Sequence, residues 1–412
     1  MNKTALATLT AACALSALAV PSISNVRFSQ DATTRQVTVL YDLSCDQGEC
    51  AIVTLDVWKD GTSIGSSNIW SVSGDVNRKL CAGTNLRIQW NPTDDWRPDA
   101  DMTGVSIVPT AWTTNAPPPV MAVSFSTPSN VFYYAGLDAL PGGEGVSNRV
   151  WKCDWMVMRK VPAANVTWVM GKNSVFNTSA GNGRANSHKV TLTQDYYIGV
   201  YPVTRGHVAN FVKRDDEGDL PYRPMSGMTP TYLRGSSSDG VDWPTQPADD
   251  PHRVSQGSFL GIVRAFTGVQ FDLPTDAQWE YACRAGVGTM WNSGSNTSDG
   301  ADEVCWYKVN SLYDATNTSS GDTHEVGLKK ANNWGCYDFH GNMWEAVLDW
   351  RQDALADAVD PVGPTSGQNQ ERIWRGGYWG QAYEYCHSGH RNCWPVTQGW
   401  GARLACPAVV SW

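Results

Sequence analysis

The sequence has few charged residues and no concentration of basic ones. Asp, Glu, Lys and Arg make up 17% of its 412 residues, and 40 acidic against 31 basic residues give a formal net charge of −9. A protein that binds the phosphate backbone of a nucleic acid normally presents a basic stripe. No such stripe is visible, so we expect no nucleic-acid partner.

Long apolar runs are also missing after the N-terminus. No later stretch reaches the length of about 18 apolar residues that a membrane-spanning helix needs, so we expect no transmembrane segment. Residues 1–19 have the pattern of a secretory signal peptide, with Lys3 as the positive end, an apolar run over 5–20 and an A-x-A cleavage site at 17–19. We therefore expect an exported protein that is secreted, periplasmic or held at the cell surface.

Several general catalytic motifs are absent from the sequence. It contains no H-E-x-x-H pair, no phosphate-binding glycine loop, no nucleotide fingerprint and no recognisable order of hydrolase Ser, His and Asp. Heptads and internal repeats of about 20–50 residues are missing too, which argues against coiled coils and solenoids. The function has to be read from more specific patterns.

Cysteine, by contrast, is plentiful. Eleven cysteines are present, and ten remain once residues 1–19 are removed. An even number of cysteines in an exported chain favours disulfide bonds. Cys45 and Cys50 flank a turn-like DQGE and could pair with each other, or one of them could pair with Cys81. Spacing alone does not decide between these pairings.

Two regions of different composition precede the second half of the chain. Residues 24–112 alternate apolar and polar side chains between Gly-containing turns, as at Val37, Val39 and Tyr41. This pattern predicts an all-β module, for which an immunoglobulin-like sandwich is the best match. Residues 113–150 begin with the proline-rich TTNAPPPV and are predicted to form an extended linker and connecting segment.

The last third of the chain carries four distinctive phrases. In order they are LPTDAQWEYACRAG (273–286), NNWGCYDFHGNMWEAVLDW (332–350), RGGYW (375–379) and GARLA (401–405). They resemble the sulfatase-modifying-factor domain, the family of the formylglycine-generating enzyme. The resemblance is assigned to residues 151–412 and implies an α+β fold with a C-type-lectin-like core and much irregular structure. Active members oxidise a cysteine of a sulfatase precursor to formylglycine, so a sulfatase precursor is the implied partner.

Capping signals predict where helices begin in this domain. Thr275 and Gln278 form a T-x-x-Q capping box for a helix over 275–285. Thr204 can cap a helix within 188–212, because its side-chain oxygen can accept the free amide hydrogens of the first turn. A further helix is predicted over 255–267.

The phrase GNMWE (341–345) matches a GN-x-WE segment of the family, whose carbonyl, Asn and Glu oxygens bind a structural calcium ion. Calcium takes about six to eight hard oxygen ligands, and a glycine lets backbone carbonyls turn inward. The resemblance therefore implies Asn342 and Glu345 as calcium ligands. The alternative is that these side chains only hydrogen-bond neighbouring loops.

The catalytic cysteine pair of the family is incomplete in this chain. Active members carry C-x4-C shortly after RGG, and the two thiolates bind Cu(I), which prefers soft sulfur ligands. Here the RGG phrase is followed by Cys386 and, at C-x6-C spacing, by Cys393. These are the candidate catalytic residues, with Cu(I) as the implied cofactor, if the loop folds back. Alternatively both form disulfides, for example Cys393 with Cys406, or Cys386 joins His387 and His390 around a transition metal.

An aromatic-rich stretch occupies the place of the missing pair. Tyr and Trp supply large contact areas at low entropic cost. The candidate ligand-binding residues are Tyr378, Trp379, Tyr383, Tyr385, His387 and His390. In the lectin-like fold this region lines an exposed groove, and related variable proteins of bacteria and phages display diversified ligand-binding side chains there.

Two functions therefore stay open. One is a formylglycine-generating enzyme-like oxidase that acts on a sulfur group. The other is a non-catalytic module that binds a protein or peptide ligand. It predicts that the rings of Tyr378, Tyr383, Tyr385 and His387 point outward around one concavity.

Overall fold

The computed structural model describes residues 20–171, 187–212, 220–236, 241, 252–311, 322–364, 366 and 370–410. Residues 1–19, where the signal peptide is predicted, lie outside the described residues. Within the described ranges, no helix is long and apolar enough to cross a membrane.

The N-terminal module consists of strands in two antiparallel sheets. Residues 20–113 contain β1 (Ser22–Gln30), β2 (Val37–Ser44), β3 (Cys50–Lys59), β4 (Thr62–Ser63), β5 (Ser73–Gly74), β6 (Lys79–Cys81), β7 (Gly83–Trp90), the short helix α1 (Pro92–Asp95) and β8 (Val105–Thr113). One sheet has the order β1-β2-β7-β5, and in the other β3 pairs with β4, β6 and β8. The alternating residues Val37, Val39 and Tyr41 pack in the core between the sheets. The all-β prediction is confirmed, and the immunoglobulin-like topology stays a prediction.

The chain after residue 113 is built from short strands and short helices. Its described strands are β9 (Val120–Ser124), β10 (Val131–Tyr134), β11 (Trp155–Val161), β12 (Val166–Met170), β13 (His188–Leu192), β14 (Tyr196–Gly199), β15 (Cys305–Trp306), β16 (His340–Gly341), β17 (Glu345–Trp350), β18 (Ala358–Val359), β19 (Glu371–Arg375), β20 (Asn392–Pro395), β21 (Gly401–Ala402) and β22 (Ala405–Pro407). The described helices are α2 (Arg205–Ala209), α3 (Pro230–Arg234), α4 (Phe259–Thr267), α5 (Asp276–Arg284) and α6 (Ser298–Val304). This mixture, with long irregular connections, agrees with the predicted α+β class.

Residues 113–150 do more than connect the two halves. Strands β9 and β10 lie in this range and join a five-stranded sheet of order β10-β9-β11-β14-β22. Val120, Met121, Ala122 and Val123 have no exposed surface. The prediction of a linker is therefore wrong for β9 and β10, because the apolar run of β9 is a fully buried strand rather than an alternating one.

The two predicted helix caps, Thr275 and Thr204, are confirmed. The Thr275 hydroxyl accepts from the Gln278 backbone N–H at 3.1 Å, and the Gln278 side chain accepts from the Thr275 N–H at 2.9 Å. The Thr204 hydroxyl accepts from the His207 N–H at 3.1 Å, which caps α2. Helix α4 begins at Phe259, after Ser258 as its cap, rather than at the predicted residue 255. These local hydrogen bonds satisfy amides that have no partner inside the helix.

A four-stranded sheet of order β20-β19-β17-β21 brings the distinctive phrases together. Strand β17 follows the GN turn, β19 ends at the RGG phrase, and β21 begins the GARLA phrase. Glu345 lies opposite Arg375 on one side and Gly401 on the other. Residues 30 and 56 positions further along the chain thus flank Glu345 in the sheet.

Candidate functional site

The turn at Gly341 and Asn342 holds the segment that follows RGG. Both residues have left-handed backbones, with φ of 68° and 60°. The Gly341 N–H donates to the Gly376 carbonyl at 2.7 Å, and the Trp379 N–H donates to the Asn342 carbonyl at 3.2 Å. A β-carbon at Gly341 would lie 1.9 Å from the Trp306 carbonyl oxygen, so only glycine fits this close approach.

The Asn342 side chain pins a neighbouring segment. Its oxygen accepts from the His324 backbone N–H at 2.9 Å, and its amide group donates to the His324 carbonyl at 3.2 Å and to Asp338 Oδ1 at 3.3 Å. Asn342 is fully buried. Both the oxygen and the amide group of the Asn342 side chain therefore have hydrogen-bond partners, and the partner of the oxygen is a backbone N–H.

Glu345 forms a buried ion pair with Arg403. Arg403 Nη2 lies 2.7 Å from Oε1 and Arg403 Nε lies 2.9 Å from Oε2. The indole N–H of Trp279 also donates to Oε2, at 2.5 Å. The carboxylate charge is thus neutralised by a guanidinium that itself has no exposed surface.

Asn342 and Glu345 do not fit a calcium site. A calcium ion at the Glu345 carboxylate would compete with the positive guanidinium of Arg403, and the Asn342 oxygen already has a donor. Among the described residues, no group of three or more His, Cys, Asp or Glu side chains is placed to hold a metal ion. The geometry matches the alternative in which the two side chains fasten neighbouring segments.

Cys386 and Cys393 are not brought together as a copper pair. Cys386 packs in an apolar cluster with Met290 and Trp291, whereas Cys393 packs in the cluster around Trp279. Burial, and then the nearby Glu371, raises the pKa of Cys393 to about 12. Its thiol is therefore protonated at neutral pH, although Cu(I) binds thiolates. The pair therefore does not fit Cu(I).

The structure places Cys305, which the sequence patterns do not single out, beside Cys386. Both cysteines pack in one apolar cluster, and burial, with a smaller contribution from the neighbouring Cys386 thiol, raises the pKa of Cys305 well above its ordinary value. Both side chains have no exposed surface. Strand β15 carries Cys305 and pairs with β16, so that Cys305 lies opposite His340. No spacing rule relates Cys305 to Cys386, since the two are 81 residues apart and meet only through the tertiary fold.

Arg375 anchors the turn that follows Cys386. Its fully buried guanidinium bonds to Asp276 and, at 3.0 Å, to Glu280. Its Nη1 donates to the carbonyls of Ser388 at 2.9 Å and His390 at 3.1 Å. Two acidic residues of α5 therefore hold Arg375, and Arg375 draws the 388–390 turn into the interior.

His387 and His390 lie beneath the surface as a consequence. They are 6% and 7% exposed. Burial, with a smaller contribution from Arg375, lowers the pKa of His390 to about 3, and burial and then His390 lower the pKa of His387 well below its ordinary value. Both rings are neutral at physiological pH. The prediction that the His387 ring points outward is wrong, because Arg375 holds the following 388–390 turn inside.

The tyrosines and tryptophans of the same stretch keep part of their surface exposed. We call this set the aromatic surface: Tyr378, Trp379, Tyr383, Tyr385, Trp394 and Trp400, all half-buried. The Tyr378 ring centroid lies 5.7 Å from that of Trp379 and 5.1 Å from that of Trp400, and Trp400 lies 5.5 Å from Trp394. Contacts at these distances fix the orientation of each ring.

A second aromatic group adjoins this surface. Trp306 stacks on His324 with ring centroids 3.8 Å apart, and Lys329 Nζ lies 4.2 Å from the Trp306 centroid. The Lys308 N–H donates to the Gln381 carbonyl at 2.8 Å and so connects the two segments. Only the tertiary fold brings this group to the site.

Two buried polar atoms lie below the aromatic surface without protein partners. The indole N–H of Trp344 and Nε2 of His390 have no hydrogen-bond partner among the described residues. Their rings lie 5.8 Å apart. Buried polar groups are normally satisfied, so a water molecule or a ligand group is expected to bond here.

Two cavities lie elsewhere in the domain. One, of about 300 Å³, is lined by residues that include His188, Asp276, Asp349 and Arg391. The other, also of about 300 Å³, is lined by residues that include Trp168 and Arg284. Neither includes a residue of the aromatic surface.

The chain is similar to known proteins over its second half. Residues 156–402 match the family described as the sulfatase-modifying factor enzyme 1-like domain. The chain is 32% identical over 231 residues to chaperone protein LppX of Paenibacillus barcinonensis, which covers 51% of this chain and 78% of that protein. It is 29% identical over 205 residues to the formylglycine-generating enzyme of Bos taurus, which covers 48% of this chain and 53% of that protein.

Among solved structures, variable protein 1 of Treponema denticola is 25% identical, with a TM-score of 0.44, and the match covers 61% of this chain and 95% of that one. The chain spans about half the length of the bovine enzyme. The family match covers the 247 residues from 156 to 402, more than half of the chain, and includes the GN turn, Glu345, the RGG phrase and the first two residues of the GARLA phrase. The protein therefore belongs to the sulfatase-modifying factor family.

Proposed function

We propose that this protein is a non-catalytic member of its family that binds a protein or peptide ligand through the aromatic surface, outside the cytoplasm. The observation that carries the proposal is the replacement of an accessible thiolate pair by half-exposed aromatic rings. Cys386, the cysteine nearest to the expected pair, has no exposed surface. Export rests on the signal-like pattern of residues 1–19.

The chemistry of an oxidase argues for the same conclusion. Oxidation of a substrate cysteine at copper requires two thiolates that the substrate can reach. The Cys386 thiol is enclosed by its apolar cluster, and the pKa of Cys393, raised to about 12, keeps that thiol protonated. Cys386 is therefore not accessible to a substrate, and Cys393 is not ionised, although the reaction needs both properties.

The aromatic surface has properties that favour a protein ligand. Its rings are already ordered by contact with one another, so little side-chain entropy is lost on binding. Tyr and Trp combine apolar faces with polar tips, and such residues dominate the energetics of protein interfaces. No residue of the surface lines either cavity, which favours an extended ligand over a small enclosed one. A sulfatase precursor is one candidate ligand, because formylglycine-generating enzymes are among the relatives.

The first experiment tests for residual catalysis. Reduced protein is incubated with Cu(I), oxygen and a peptide of pattern C-x-P-x-R, and aldehyde formation is followed by mass spectrometry. We expect no aldehyde and no stoichiometric copper binding. Aldehyde that disappears in Cys386→Ser would reject the non-catalytic proposal.

The second experiment tests the binding surface. A random-peptide display library is selected on the wild-type protein, and the enriched peptides are measured against Trp379→Ala/Tyr385→Ala. Loss of two central rings is expected to weaken binding at least about tenfold, which corresponds to about 1.4 kcal/mol. Phe28→Ala, an equally simple truncation of a residue that is 38% exposed on the N-terminal module, serves as the matched control. Equal binding by all three proteins would place the ligand elsewhere and refute the proposal.

A further inference from the structure

Two thiols from distant segments meet beneath the aromatic surface. Cys305 lies on β15 and Cys386 lies just after the Tyr383–Tyr385 turn. Both side chains belong to one buried apolar cluster with Trp291. With no exposed surface, neither sulfur is placed to serve a substrate in the folded protein.

Two glycines make room for these sulfur atoms. A β-carbon at Gly341 would lie 2.7 Å from the Cys305 sulfur, and one at Gly377 would lie 2.4 Å from the Cys386 sulfur. Both glycines have left-handed backbones, with φ of 68° and 79°. The GN turn and the RGG phrase therefore form the walls of a compartment that the two sulfurs fill.

We propose that Cys305 and Cys386 form a disulfide bond that ties the aromatic segment to β15. The segment from Tyr378 to Tyr385 has few regular hydrogen bonds of its own, with a single 3-10 turn at Tyr383–Tyr385. A covalent bond at Cys386 would fix the end of this segment. The bond is independent of whether the aromatic surface binds a ligand.

The bond forms by thiol–disulfide exchange with a low-molecular-weight disulfide during folding, before the thiols are buried. The Cys386 thiol loses its proton and attacks one sulfur of the reagent, and one reagent thiol leaves with that proton. The Cys305 thiol then loses its proton and attacks the Cys386 sulfur, and the second reagent thiol leaves. Two protein thiols are oxidised to one disulfide, and the reagent disulfide is reduced to two thiols.

Tryptic peptide mapping tests this bond directly in the full chain. Cleavage at Lys and Arg places Cys305 alone in peptide 285–308 and Cys386 alone in peptide 376–391. After refolding with oxidised and reduced glutathione, the non-reduced digest is expected to contain these two peptides linked. A digest in which Cys386 is linked to peptide 392–403, which holds Cys393, or in which both cysteines stay free, overturns the proposal.

Matched variants and two further measurements sharpen the test. Cys305→Ser and Cys386→Ser are expected to abolish the linked peptide, whereas Cys336→Ser, at another fully buried cysteine, leaves it intact. Amide hydrogen exchange in 376–391 is expected to be slower in the oxidised than in the reduced protein. Equal exchange rates would contradict the restraint of this segment by a disulfide. Rapid alkylation of Cys386 in the native reduced protein would contradict the burial on which the inference depends.

A separate observation in the N-terminal module points to a second disulfide. Cys50 on β3 and Cys81 on β6 are directly opposite in the antiparallel register, and their sulfurs lie 3.1 Å apart. Strand β6 has three residues and pairs with β3 at the edge of its sheet. We infer that a Cys50–Cys81 disulfide fastens this short strand, formed by the same exchange and the same electron balance.

The digest that tests the first bond also tests this one. Cys81 lies alone in tryptic peptide 80–87, and a further cut after Glu49 separates Cys45 from Cys50. We expect Cys50 linked to Cys81 and Cys45 recovered as a thiol. Linkage of Cys45 to Cys81 or to Cys50 would overturn the assignment, and Cys45→Ser, which is expected to leave the link unchanged, is the control.

Discussion

The buried pair of Glu345 and Arg403 offers the most demanding test of how this fold is held together. Arg403 donates to both oxygens of Glu345, to the carbonyls of Gly199 at 2.8 Å and Val200 at 3.1 Å, and to the Tyr337 carbonyl at 2.7 Å. Its guanidinium also lies 3.9 Å from the ring centroid of Phe339. One side chain thus connects β14, β17 and the segment before the GN turn.

Removing one partner of this pair should be costly. Arg403→Met keeps the approximate length of the side chain but leaves the Glu345 carboxylate buried without its cation. Breaking a buried ion pair from one side typically costs about 3–5 kcal/mol of unfolding free energy. We expect a loss in this range for Arg403→Met and a comparable loss for Glu345→Gln, which leaves the guanidinium without its anion.

The double variant Arg403→Met/Glu345→Gln distinguishes the interaction between the two charges from the individual contribution of each side chain. When both charges are removed, no uncompensated charge is left in the interior. The double variant should therefore lose about 1–3 kcal/mol less unfolding free energy than the two single variants lose together. The measurement is urea denaturation followed by tryptophan fluorescence. Additive losses, or a loss below about 1 kcal/mol for Arg403→Met, would refute the reasoning.

The same assay decides between the ion pair and a calcium site. If Glu345 is committed to Arg403, EDTA and added calcium should leave the wild-type midpoint unchanged. A midpoint that falls in EDTA, and that no longer responds in Glu345→Gln, would show that the carboxylate binds a cation instead.

Three further predictions use matched or titratable positions. Burial and the neighbouring Asp276 raise the pKa of Asp349 from its ordinary 3.8 to about 7, against the opposing effect of Arg391 and Arg375. The folded state therefore holds this proton more tightly than the unfolded state, and the resulting stability, complete below about pH 4, is lost as the pH rises to about 7. Denaturation midpoints of Asp349→Asn should vary less than wild type across this window, and an unchanged profile would contradict the prediction. Gly377→Ala should cost about 3 kcal/mol of unfolding free energy, since the new methyl group overlaps Cys386. Its control is Gly286→Ala, at a similar φ of 82° with no atom within 4 Å, which should cost only about 1–2 kcal/mol for the backbone strain. Equal losses would show that crowding at Gly377 is unimportant. Thr275→Ala should cost about 1 kcal/mol of unfolding free energy by removing the cap of α5. Urea denaturation followed by circular dichroism measures this loss, and an unchanged midpoint would contradict the prediction.

Local sequence signals predicted the features that depend on neighbouring residues. The capping box at Thr275 requires only a side chain three residues from a backbone amide, so its hydrogen bonds could be anticipated. The alternation at Val37, Val39 and Tyr41 likewise predicted one buried face of a strand. Strand β9 was not predicted, because a strand that is buried on both faces shows no alternation of apolar and polar residues.

The ordered phrases of the second half, by themselves, were sufficient to identify the family and the incomplete cysteine pair, because a motif in sequence needs no spatial information. The tertiary structure alone decided which charges and sulfurs meet. Glu345 could have been a calcium ligand until Arg403 was placed against it, and Cys386 had no visible partner until β15 brought Cys305 to it. Interactions between residues 58 or 81 positions apart leave no periodic trace in a chain, so their consequences become readable only when the fold has closed the distance.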